Sequence, residues 1–99
     1  MRSFSPENML HRTQEMLSTE LDQETVLMSI DAGAYYGLAG PARSIWEKLE
    51  TPMTFSALVD LLVKEYEVTP EACAADLQGF LSEMEQKGLL RVEIGRAHV

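Results

Sequence analysis

Basic residues are scarce in this chain: eight Lys and Arg stand against sixteen Asp and Glu, a formal net charge of −8. Nucleic-acid affinity rests largely on neutralising phosphates with Lys and Arg, so this balance argues against a DNA or RNA partner. The same field disfavours an anionic lipid surface. Cysteine occurs once, at Cys73, which excludes an intrachain disulfide framework and suits a reducing cytoplasm. No run nears the roughly 20 apolar residues of a membrane-spanning helix. The first seven residues, with Arg2, Pro6 and Glu7, hold no apolar stretch of a secretory signal. Histidine appears only at His11 and His98, near the two ends, and no Cys-x-x-Cys or His-Glu-x-x-His spacing occurs. There is no Gly-rich phosphate loop either; Gly37 and Gly40 merely flank Leu38 and Ala39. A chain so poor in convergent reactive groups is expected to bind no metal or cofactor and to be no enzyme.

What is present suits one compact α+β domain: 99 residues, 45% hydrophobic and 24% charged, enough for a single core and too few for a second. Residues 1–12 carry Pro6, Glu7 and Asn8 without a sustained period and are expected to form a flexible N-terminal arm. Residues 13–94 form the domain and 95–99 a loose C-terminal tail. A first strand is expected in residues 15–21. In the second, Val26, Met28 and Ile30 share one face at period two. Asp31, Ala32, Gly33 and Ala34 suit a tight hairpin, since Asp bonds forward to the backbone and Gly supplies positive φ. Tyr35, Tyr36, Gly37 and Leu38 make the third strand of an antiparallel meander, with Tyr36 and Leu38 turned inward against Val26, Met28 and Ile30.

Three helices follow. Pro41 suits a first helical turn, and Ala42, Ile45, Trp46 and Leu49 recur at helical spacing. Thr51 and Pro52 break that helix. Thr54 is a candidate N-cap for a second, with the stripe Phe55, Leu58, Val59, Leu62 and Tyr66. Thr69, Pro70 and Glu71 open a third in the favoured order of cap, N1 proline and acid. Its stripe is Cys73, Leu77, Phe80, Leu81 and Met84, and Gly88 closes it. Residues 89–94 suit a short terminal strand or an extended tail. Three strands followed by three helices make a winged-helix-like fold.

Cys73 on the buried stripe behaves as a small hydrophobe rather than a nucleophile, and Trp46 reads as core. At about 100° per residue, Asp76, Phe80, Glu83 and Lys87 line one flank of the third helix. That flank is either a boundary between core and solvent or the wall of a groove. Tyr35, pointing away from Tyr36 and Leu38, is likewise either core edge or a recognition aromatic. An exposed third strand would offer unpaired backbone groups to an incoming peptide.

The stretch from Asp31 through Tyr35, Tyr36 and Leu38 to Ala42, Ile45, Trp46 and Leu49 resembles the PqqD-like family. So do Leu58, Leu62, Tyr66 and Val68, then Asp76, Phe80, Leu81 and Gly88 through Leu90. The likeness covers roughly residues 20–92, with Leu38 and Ala39 where the family often has Leu-Asn. It implies a RiPP recognition element, a small domain that binds the leader of a ribosomally made precursor peptide and delivers it to modifying enzymes. In the family the leader adds to the third strand and lies against the third helix. Carried over, the backbone wall is Ala34, Tyr35, Tyr36, Gly37 and Leu38, and the helix wall is Asp76, Phe80, Glu83 and Lys87.

A stand-alone member is similar to the recognition proteins of lasso-peptide pathways, whose partner is a leader peptidase of the cysteine-protease, transglutaminase-like type. The quinone-cofactor pathway, with a radical SAM partner, is the alternative home. A winged-helix transcription regulator is the other alternative. Against it stand Glu71, Asp76, Glu83 and Glu85 on the helix that would enter a DNA groove, with only Lys87 in support.

Overall fold

Thr54 and Thr69 do what threonine does best ahead of a helix: each side-chain oxygen accepts a backbone N–H three residues on. The bonds, from Ala57 at 3.1 Å and Ala72 at 3.2 Å, open α2 (Phe55–Tyr66) and α3 (Pro70–Gln86). α1 (Pro41–Lys48) begins at Pro41, as its fixed φ and missing donor favour. α3 ends where Gly88 takes φ +78°, which lets Leu89 N–H donate to Met84 O and Gly88 N–H to Glu85 O. This pair of bonds satisfies the last helical carbonyls and turns the chain back along the helix.

The computed structural model describes residues 3–13, 16–29 and 33–93 of the protein. These form two three-stranded antiparallel sheets with the three helices. In one sheet β1 (Met9–Arg12) lies between β5 (Met53–Thr54) and β6 (Leu90–Glu93). The other is a meander of β2 (Met16–Leu21), β3 (Glu24–Ser29) and β4 (Ala34–Ala39), in that order. The expected meander is therefore present, followed by the three helices, and the expected terminal strand is β6. Gly33, at φ +64°, donates its N–H to Ser29 O at 2.8 Å in the β3–β4 turn. Asp31 and Ala32 of that turn, Ile30, and the tail 95–99 lie outside the described residues.

Two expectations are corrected. The described part of the expected flexible arm is no arm: residues 4–12 are built into the fold. Phe4 stacks on Phe55 with ring centroids 6.2 Å apart, and its backbone exchanges hydrogen bonds with the Gln78 side chain. The carbonyls of Asn8 and Pro6 accept the Phe55 and Ser56 N–H groups, supplying partners for donors that a helix start leaves free. Leu10 is fully buried, and Arg12 lies 4.5 Å over the Trp46 ring while donating from Nε to Trp46 O. The structural unit thus starts well before residue 13.

The inward face of β3 is also shifted by one residue. Thr25 and Leu27 point in, while Val26 and Met28 are half-buried on the outer face. The register pairs Leu27 with Tyr36 and Thr25 with Leu38, so Tyr36 and Leu38 do face the core, with different partners. A polar residue holds an inward position because it is satisfied there: Thr25 Oγ1 donates to Glu20 and accepts from Arg43 Nε.

Candidate functional site

β4 is six residues long and pairs with β3 along one side only. Among the described residues no strand borders its other side, because β6, the last strand, is engaged with β1 in the second sheet. An unpaired strand of this length presents a row of backbone donors and acceptors. Charged or apolar cover could blunt it, but here α3 stands beside it and leaves a groove between.

That groove, about 260 Å³, has Tyr35, Tyr36, Gly37 and Leu38 on its strand wall. Phe80, Glu83 and Lys87 form its helix wall, with Met84 and Leu89 at its base. Lys87 Nζ lies 5.6 Å from the Tyr36 ring centroid and 3.6 Å from Glu83 Oε2. The cation therefore spans the groove between its two walls, held by ring face and carboxylate. Helix periodicity put Phe80, Glu83 and Lys87 on one flank, and that flank does turn toward β4.

The remaining candidates sit nearby. Ala34 opens β4, half-buried, and does not line the groove. Asp76 lies one turn before Phe80 and borders a second cavity of about 360 Å³, which shares Phe80 with the groove. This cavity runs between α1, the end of α2 and the first half of α3. Ile45, Leu62 and Leu77 supply apolar walls, and Tyr66 and Val68 form an exposed apolar lip. Sequence reasoning missed it, along with Met84 and Leu89 in the groove. The available signal was Val68, an apolar residue beyond the second helix's stripe; Tyr66, expected on that stripe, is in fact exposed beside it.

Cys73 faces this cavity, where burial, and secondarily the Asp76 charge, pushes its thiol pKa up. A thiol held neutral in this way is a poor nucleophile. No group of His, Cys, Asp and Glu among the described residues has the arrangement to hold a metal ion. No helix among them is long and apolar enough to cross a membrane. The site consists of a backbone edge, aromatic side chains on both walls and one bridging cation, a shape and chemistry suited to an extended chain.

The comparisons agree with that arrangement. The family model described as coenzyme PQQ synthesis protein D (PqqD) matches residues 24–90, more than half of the chain, and the protein belongs to this PqqD-like family of RiPP recognition elements. The solved structure of TbiB1 in complex with the TbiA(beta) leader peptide is similar at 31% identity and TM-score 0.76, over 89% of this chain and 99% of that one. A lasso peptide synthetase B1 complexed with the leader peptide shares the fold at 20% identity and TM-score 0.72, over 83% and 96% of the respective chains. No curated protein sequence matches.

Proposed function

We propose that the protein is a non-enzymatic adaptor for a ribosomally made precursor peptide. It takes the leader segment as an added strand on β4, against the Phe80, Glu83 and Lys87 face of α3, and presents it to a maturation enzyme. The observation that carries this reading is the six-residue edge of β4 standing open beside the groove. Main-chain pairing supplies affinity in such an arrangement, and pockets for alternate side chains supply specificity. TbiB1, 31% identical over most of its length, is solved with a leader peptide bound. The nine proposed contact residues are Ala34 through Leu38 of β4 and Asp76, Phe80, Glu83 and Lys87.

The partner in this reading is a leader peptidase of the cysteine-protease, transglutaminase-like type in a cytoplasmic lasso-peptide pathway, as the family resemblance implies. A quinone-cofactor pathway, with a radical SAM enzyme as partner, is the second reading, favoured by the description of the matching family model. A transcription regulator is disfavoured because α3 contains acids and no Lys or Arg between Pro70 and Gln86.

The deciding experiment is calorimetry with a synthetic leader, taken from the precursor encoded beside this chain's gene, and with copies N-methylated at single backbone amides. Strand addition predicts that methylation abolishes binding at alternate positions, where the amide points at β4, and is tolerated between them. Uniform tolerance would sink the proposal. Pull-downs from cells expressing either candidate enzyme, with and without leader, then separate the two pathways.

A further inference from the structure

β3 presents Glu24 and Val26 on the face opposite Thr25 and Leu27, and their register places Gly37 and Ala39 of β4 beside them on that outer face. The Glu24 side chain does not extend into solvent over its own strand. A Cβ built at Gly37 would lie 3.3 Å from Glu24 Cδ and 3.4 Å from each carboxylate oxygen. The carboxylate has therefore crossed one strand spacing and occupies the space a side chain at position 37 would fill. Both residues are exposed, and among the described residues Glu24 forms no ion pair.

A strand added to β4 would run about 4.8 Å beyond it. Its residue opposite Gly37 would project onto this outer face, as cross-strand partners do, and its neighbours on either side onto the α3 face. The two faces differ in charge. On the outer face stands the Glu24 carboxylate, without an ion pair among the described residues; on the α3 face the amine of Lys87 stands over Tyr36 and is already paired with the Glu83 carboxylate. A lysine or arginine of the guest, long enough to reach across one strand, meets an uncompensated anion in one register. Slipped by one residue, it meets the Lys87–Glu83 pair, whose charges already balance.

We propose that Glu24, laid across Gly37, is a specificity residue of the β4 edge that takes a cationic side chain of the incoming peptide and so fixes the register of the added strand. This rests on the strand-addition reading above and deepens it by naming one feature of the substrate. Gly37 has a positioning role: it touches the carboxylate rather than the cation, and its missing side chain lets Glu24 reach the edge.

The test measures binding, by fluorescence anisotropy at low salt, of labelled synthetic peptides based on the leader encoded beside the gene. Lysine or its uncharged, length-matched analogue norleucine is placed at each position of the paired segment in turn. In the unaltered protein one position should favour lysine over norleucine by roughly two- to fivefold, the size of an exposed ion pair. Glu24→Gln should erase that preference and leave the norleucine peptides bound as before. Gly37→Ala, whose methyl displaces only the far end of a flexible side chain, should shrink it, and the thermal midpoints of both variants check folding. A lysine preference that survives Glu24→Gln, or none at any position, overturns the assignment while leaving strand addition intact. Failure of every peptide, the unaltered leader included, to bind the unaltered protein overturns both.

Discussion

The two sheets of this protein use the same bonding capacity in opposite ways. In the β5-β1-β6 sheet the central strand has a neighbour on each side, pairing all four residues with β6 and two with β5, and its flanking strands are only two and four residues long. Short flanks leave little edge to offer a stranger. Arg12 and Leu10 lock the central strand to α1 and the core, and Thr13 donates to the carbonyls of Gly88 and Leu89 at the end of α3. In the β2-β3-β4 sheet both outer strands have six residues, and Leu17, Leu21 and Tyr35 remain exposed. One sheet spends its hydrogen bonds on holding the helices; the other keeps a side unspent. If β4 takes the leader as proposed, stability and recognition are lodged in different parts of a very small domain.

The sharpest way to break that division is to damage each part and measure both properties. Leu10→Ala, in the β5-β1-β6 sheet, should lower unfolding free energy by about 2–5 kcal/mol in urea titrations. Leader binding at temperatures where the variant is folded should be retained. Phe80→Ala should do the reverse, weakening leader affinity by about tenfold, since ordered aromatic anchors contribute about 1–2 kcal/mol or more. Its stability loss should be smaller than that of Leu10→Ala, because Phe80 is only half-buried. If the two variants lose stability and affinity in equal proportion, the separation fails.

Smaller effects sharpen the comparison. Thr69→Ala removes the cap that starts the groove's helix wall and should cost about 1 kcal/mol, seen as a lower urea midpoint. The least is expected from acid. The Lys48 bond, aided by Ser44, holds the Glu65 carboxyl below its usual range, and the Thr25 hydroxyl, with Arg43, does the same for Glu20. Depressed carboxylate pKa values contribute stability above the unfolded value that is lost as pH falls through the folded one. Urea midpoints should therefore drop between about pH 5 and pH 3, and Glu65→Gln should reduce the drop. These carboxylates tie α1 to α2 and to the β2-β3-β4 sheet, so loosening should show first in amide exchange around α1.

How much of this was readable in advance depended on whether the signal was local. The start of α2 and both ends of α3 were legible because the caps, with the proline and glycine of α3, sit beside the stripes they bound, whereas the left-handed Glu67 that ends α2 was not. The Phe80, Glu83 and Lys87 flank followed from helical angle alone, and the third strand of the meander from its turn. β1 was not legible: four residues with no alternation are a strand only because residues 53–54 and 90–93 come to lie beside them. The face of β3 was misjudged because hydrophobicity favoured Val26 and Met28, whereas the hydrogen bonds that satisfy Thr25 come from other elements. The second cavity needs the relative placement of three helices, and Glu24's reach across Gly37 needs strand register, neither of which a single segment reveals.

The pairing of Met9 with Glu93 joins segments from the two extremes of the described chain. Contacts between residues so distant in sequence close late, after local hairpins and helices have formed. During synthesis the β2-β3-β4 hairpins emerge whole while β1 waits first for β5 and then for β6, its longer partner, made some eighty positions afterwards. A nascent molecule would then display the strand proposed to take the guest before its own framework is fastened, so translation speed through the last helix would govern how long that vulnerable interval lasts.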